Sequence, residues 1–200
     1  MVVIISLIAL IIGFFLNIIV NKLSYKIDKD KEINNKYLLL IVLNCGIVFL
    51  ISFFKIGLNI IFIKSVILGC ILIIVSYIDF EYKIIPDEIV IVTSITGITF
   101  SFIVDISFTS AILGMLLGGS FLFILALIPN ALGGGDVKLM FALGSFLGPN
   151  KTLWALGFAF IIASIISMVL LLFKIKGRKD NIPFGPFLSL GSFLSFIIFI

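Results

Sequence analysis

Gly133-Gly134-Gly135-Asp136-Val137-Lys138 lies between two apolar runs, residues 111–129 and 139–147. An ionisable carboxylate therefore sits on a glycine-rich segment where two apolar stretches meet. Three successive glycines are expected to act as a hinge, because they open backbone angles closed to other residues and leave no side chain to hold off a neighbouring backbone or a peptide. A carboxylate held there has access to both protein and water. Further towards the N-terminus, Asp79 ends another apolar run at Ser76-Tyr77-Ile78-Asp79. These two aspartates form the candidate functional pair.

Composition identifies the solvent in which these runs fold. Hydrophobic residues make up 62% of the 200 and charged residues 12%, with a mean hydropathy of +1.39. A soluble domain averages about 45–50% apolar and about 25% charged residues. The expected fold class is all-α, a polytopic membrane protein of about eight transmembrane helices over residues 2–20, 37–54, 57–78, 89–106, 111–129, 139–147, 153–173 and 184–200. The sixth run falls well short of the about 20 residues that a full span needs. A cleaved signal peptide is a weaker reading of the first run, since no basic residue precedes it and no small-x-small site follows. We read residues 1–200 as one membrane-embedded domain, with 1–56 as an N-terminal region carrying the polar loop 21–36 and 57–200 as the core.

Lysine and arginine set the expected orientation. The gaps after the first, third, fifth and seventh runs hold Lys22, Lys26, Lys29, Lys31, Lys36, Lys83, Lys138, Lys174, Lys176, Arg178 and Lys179, eleven of the fourteen basic residues. Lys55 and Lys151 fall on the other side, and Lys64 lies within the third run. The positive-inside rule then puts both termini outside and both Asp79 and Asp136 on the cytoplasmic side.

The residue inventory narrows the chemistry. With no histidine, Ser-His and Cys-His nucleophile systems and histidine metal sites drop out. Cys45 and Cys70 stand singly inside apolar runs, read as free thiols, so neither zinc nor any other metal site is expected. Two carboxylates sharing one water do not both ionise easily, so the pair holds a single proton over a range of pH. The ionised member takes a proton from water while the protonated member polarises a peptide carbonyl. Spacing alone leaves plainer roles open. Asp136 also suits the cap of a sixth helix, where a carboxylate meets free backbone N–H groups, and Asp79 suits the end of a span. Pro86 followed by Asp87 and Glu88 reads as a helix start.

Four stretches in one order carry a resemblance: Gly13-Phe14-Phe15-Leu16-Asn17, then Asp79 with six residues before Pro86-Asp87, then Gly133-Gly134-Gly135-Asp136-Val137-Lys138-Leu139, then Ile182-Pro183-Phe184-Gly185-Pro186-Phe187-Leu188-Ser189-Leu190-Gly191. Together they resemble the type IV prepilin peptidases, membrane aspartic peptidases with a GxGD motif. The resemblance implies that Asp79 and Asp136 are catalytic. It also implies that Gly133, Gly135, Lys138, Pro86, Asp87, Pro183, Gly185 and Pro186 support the motif or bind substrate. The implied substrate is a prepilin or pseudopilin, cleaved after its basic leader at the cytoplasmic face of a prokaryotic cell membrane. Glu81, Asp87 and Glu88 would attract that leader, and Pro183-Phe184-Gly185-Pro186 would form a non-helical lead into the last span, packed near the site. The bilayer is the other expected partner, and nucleic acid is not.

Many larger members of that family carry two CxxC pairs between the first two spans and methylate the new N-terminus with S-adenosylmethionine. Here that gap is residues 21–36, with no cysteine. It is too short for a separate cofactor domain, so the chain reads as a short form whose peptidase step needs no cofactor, with S-adenosylmethionine relevant only if methyl transfer is retained. Two other readings stand beside this one. A presenilin-like intramembrane protease also uses GxGD, but this chain lacks the Pro-Ala-Leu motif. A proton-coupled transporter or scaffold would line a path with Asp79, Asp136 and Lys64, but the hinge is not repeated as a transporter's symmetry leads one to expect. A Ser65–Lys64 hydrolase pair is disfavoured, since adjacent helical residues point to different sides.

Overall fold

The computed structural model describes residues 1–29, 37–104, 106–129, 132–174, 177 and 182–200. Seven helices account for nearly all of them: α1 (Val2–Ile27), α2 (Leu38–Ile56), α3 (Ile60–Tyr82), α4 (Asp87–Ser101), α5 (Phe108–Ala126), α6 (Gly134–Leu172) and α7 (Gly185–Ile198). No strand occurs among the described residues. In hydrocarbon every backbone N–H and C=O must be satisfied internally, so runs rich in isoleucine and valine become helices despite their modest intrinsic preference. α1, α2, α3, α5 and α6 are long and apolar enough to cross a membrane, whereas α4 has 15 residues and α7 has 14.

Each of the eight apolar runs lies on a helix or part of one, with several boundaries displaced. The sixth and seventh runs belong to α6 together, which breaks at Gly148, where φ is 69° and ψ is 175°, just ahead of Pro149. That left-handed residue, followed by an imino acid without an N–H, separates limbs 134–147 and 149–172. Lys151 consequently lies on a helix rather than in a connecting loop. α1 continues to Ile27, well beyond the expected end at residue 20, so part of the expected polar loop is helical; residues 30–36 of that loop lie outside the described residues. α3 likewise runs on to Tyr82, which puts Asp79 inside its last turn rather than at the start of a connection.

The bundle packs on small residues. α5 and α6 meet so closely that a Cβ at Gly114 would lie 2.3 Å from the Gly144 carbonyl oxygen, and one at Gly144 would lie 2.2 Å from the Gly114 oxygen. Close approach of backbones through small residues is how helices gain contact where lipid supplies no hydrophobic drive. Gly191 of α7 seats against the backbone of Ala155 and Ala159 in the same manner. α7 also packs on α3, and α4 on the first limb of α6, which brings the end of α3 and the starts of α4, α6 and α7 together. Cys45 of α2 is buried and Cys70 of α3 partly buried, both as free thiols.

Candidate active site

Asp79 is held by two features of its surroundings. Its backbone carbonyl accepts a hydrogen bond from Lys83 N–H at 2.8 Å, closing α3 on the left-handed residue Lys83 (φ 55°). Its side chain is only 5% exposed, and Oδ2 accepts the Gly185 N–H at 2.8 Å. A Cβ at Gly185 would lie 2.7 Å from that oxygen and 2.9 Å from Cγ. Glycine is therefore the residue that lets the start of α7 reach the carboxylate. Pro183 is non-helical as expected, but Gly185 and Pro186 form the first turn of α7 rather than a continued loop.

Asp136 stands on the first turn of α6. Its Oδ2 accepts the Gly133 N–H at 3.3 Å, so the carboxylate does cap its helix. The cap uses one oxygen only. Asp136 is 8% exposed, and Oδ1 is buried without a hydrogen-bond partner among the described residues. The glycines before it do not adopt the special angles expected of a hinge. Gly133 has φ −78° and ψ 146°, and Gly134 and Gly135 are helical; among the described residues the glycines with positive φ are Gly57 and Gly148. Their use is the absence of a side chain. Nothing lies within 4 Å of where a Gly134 Cβ would be, and Gly135 faces Ile85 at 3.3 Å.

Both carboxylates line one cavity of about 440 Å3, whose wall includes Ile85, Pro86, Gly133 to Gly135 and Lys83. Asp87 and Lys138 also line the cavity, joined by an ion pair at 2.8 Å between exposed side chains. Pro86 is the N-cap of α4 rather than its first residue, and Asp87 and Glu88 occupy the first turn. The other two acids expected to attract a leader are engaged elsewhere: Glu81 accepts from the Tyr37 hydroxyl, and Glu88 pairs with Lys26 of α1. Lys83, Ile84 and Ile85 were not singled out from sequence, and only their position between Asp79 and Pro86 points to them.

Lys64 lies fifteen residues from Asp79 along α3, about 22 Å at 1.5 Å per residue, with its Nζ 5.7 Å from the centre of the Phe196 ring. Ser65 Oγ is hydrogen-bonded with Ser52 Oγ at 2.7 Å. No cluster of three metal-ligating side chains occurs among the described residues. Paired carboxylates in a cavity can activate a water and protonate an amide without any other group.

The described residues thus form an all-helical, polytopic membrane bundle in which two aspartates line one cavity. The chain belongs to the Type IV leader peptidase family, whose sequence model matches residues 66–172 and so takes in both aspartates. Among curated proteins it is similar to the prepilin leader peptidase/N-methyltransferase of Bacillus subtilis, 27% identical over 146 residues that make up 72% of this chain and 58% of that protein. The namesake from Neisseria gonorrhoeae is 28% identical over 166 residues, 78% of this chain and 56% of the relative. That from Xanthomonas campestris is 26% identical over 139 residues, 66% of this chain and 48% of the relative. The chain thus spans about half the length of these relatives. No solved structure matches it.

Proposed function

We propose that this protein is a membrane aspartic endopeptidase that removes the basic leader from prepilins or pseudopilins, with Asp79 and Asp136 as its catalytic pair. The observation that carries this reading is the buried, unpartnered Oδ1 of Asp136 in the cavity that Asp79 also lines. Family membership supports it, as do the printed names of the relatives. The core at 57–200 contains both aspartates and the whole family match.

In the proposed reaction Asp79, held as a carboxylate by the Gly185 N–H, accepts a proton as water attacks the peptide carbonyl carbon. Asp136, protonated, gives its proton to the carbonyl oxygen. The tetrahedral intermediate collapses as the C–N bond breaks: the departing amine takes the proton held by Asp79, and a hydroxyl proton of the intermediate returns to Asp136. The bare backbone at Gly133 to Gly135 lets an extended peptide lie against the cavity. Asp87, already bonded to a lysine, offers a carboxylate at the rim to the basic residues of a leader.

The same reading sets the site on the cytoplasmic side of a prokaryotic cell membrane with both termini outside. It is supported by the eleven of fourteen basic residues that fall in the gaps on the side of Asp79 and Asp136. Methyl transfer is not assigned. S-adenosylmethionine is a sulfonium cation, and the described groove nearest the α1–α2 connection is lined by Lys22, Lys26 and Lys29 against the single carboxylate Glu88. Those residues do not fit the group. Purified protein in liposomes, given a prepilin-like substrate with S-adenosylmethionine present, should release the leader and leave a free, unmethylated amine, read by mass spectrometry. An intact substrate across several such candidates, with the protein shown to be folded, would transfer the pair to a proton path in a transporter.

A further inference from the structure

The lysine groove on α1 has a shape and charge that the peptidase reading does not use. It encloses about 590 Å3 between Ile19, Leu23, Tyr25 and the three lysines, with Glu88 of α4 as the one carboxylate among its described lining residues. Lys22 and Lys26 lie one turn apart on α1 and so share a face, and Lys29, just past the extended cap residue Asp28 that ends the helix, lines the same groove. Towards the N-terminus the same face continues as Ile18, Phe15 and Ile11, which are 49%, 60% and 71% exposed. Lys26 is engaged by Glu88, but Lys22 and Lys29 have no ion-pair partner among the described residues.

A cationic head above an uninterrupted apolar track on a membrane helix matches one kind of molecule. The geometry points to a binding site for an anionic glycerophospholipid, with its phosphate at Lys22 and Lys29 and its acyl chains along Ile18, Phe15 and Ile11. Basic side chains next to a span draw anionic lipid headgroups, by about 1 kcal/mol for each lysine near the surface. The basic leader of the proposed substrate is repelled by the same three lysines. The site is independent of the peptidase reading and stands or falls without it.

The test is competition for the intact protein in mixed detergent micelles containing equal phosphatidylglycerol and phosphatidylcholine, with retained lipid counted by native mass spectrometry. Wild type should retain phosphatidylglycerol preferentially. Lys22→Ala with Lys29→Ala should cut that preference roughly tenfold, Lys22→Arg with Lys29→Arg should keep it, and Lys55→Ala with Lys174→Ala should leave it unchanged. Lys22→Gln with Lys29→Gln, checked for native helix content by circular dichroism, gives the same readout if the alanine pair folds poorly. Loss of the preference in the control pair as much as in the groove pair would overturn the site. Displacement of the lipid by millimolar inorganic phosphate alone would also overturn it, since the groove would then be a free-anion site.

Discussion

Gly185 and Asp79, 106 residues apart, meet through one hydrogen bond of 2.8 Å from backbone N–H to carboxylate oxygen. The contact exists because Gly185 has no side chain, and it fixes the carboxylate by backbone rather than by another titrating group. Replacing Gly185 by Ala puts a methyl within van der Waals radii of Oδ2 and displaces a positioning contact of the kind worth about 1–3 kcal/mol. Turnover should fall by about tenfold to a hundredfold, with little change in the substrate concentration for half-maximal rate. Steady-state cleavage kinetics of the folded variant provide the check.

Asp87 and Lys138 should behave differently. Their side chains are 65% and 57% exposed, and pairs of that kind contribute about 0–1 kcal/mol to stability. Asp87→Ala and Lys138→Ala should therefore leave thermal unfolding nearly unchanged. If Asp87 receives the leader, Asp87→Ala should raise KM several-fold with kcat retained, and the loss should shrink at high salt. Kinetics at two ionic strengths distinguish this from a structural effect, which would lower kcat and persist in salt.

Packing gives a prediction independent of catalysis. A side chain at Gly144 meets the backbone of α5, which has no rotamer by which to yield. Gly144→Val should destabilise the bundle by about 1–3 kcal/mol or more. Gly157 has nothing within 4 Å of its notional Cβ, so Gly157→Ala should be neutral or stabilising by up to about 1 kcal/mol. Unfolding curves in a fixed detergent should separate the two glycines.

A mechanism with one ionised and one protonated carboxylate requires a bell-shaped dependence of kcat/KM on pH. Activity should fall in acid, where both members carry a proton, and again at higher pH, where neither does. In Asp79→Glu the profile should shift rather than vanish. A rate that stays flat from acid to alkaline pH would show that no such pair operates.

Much of the helix inventory was legible because the membrane demands long apolar runs, and each of the eight falls on a helix or limb. Helix ends were not. α1 outlasts its apolar run because Lys22 and Lys26 remain compatible with a helix while their charges reach water, and α3 runs on until Lys83 takes left-handed angles, with Glu81 bonded to Tyr37 on its last turn. The Gly148 break is written in Gly148-Pro149, whereas the glycines before Asp136 looked like a hinge and instead have ordinary angles, Gly134 facing open space and Gly135 packing closely on Ile85. Asp79 and Asp136 are individually conspicuous as acids at the ends of apolar runs. Their meeting at one cavity, and the Lys26–Glu88 and Lys138–Asp87 bridges, depend on helix rotation and packing that no single chain's spacing encodes.

The most direct measurement is leader cleavage by wild type, Asp79→Asn and Asp136→Asn under identical conditions, with each protein shown to be folded in the same detergent. Asparagine preserves shape and removes the proton exchange. The paired-carboxylate account requires wild type to cleave and both variants to fall by about a thousandfold or more, more than one misaligned contact explains. Wild-type turnover in either asparagine variant would contradict it.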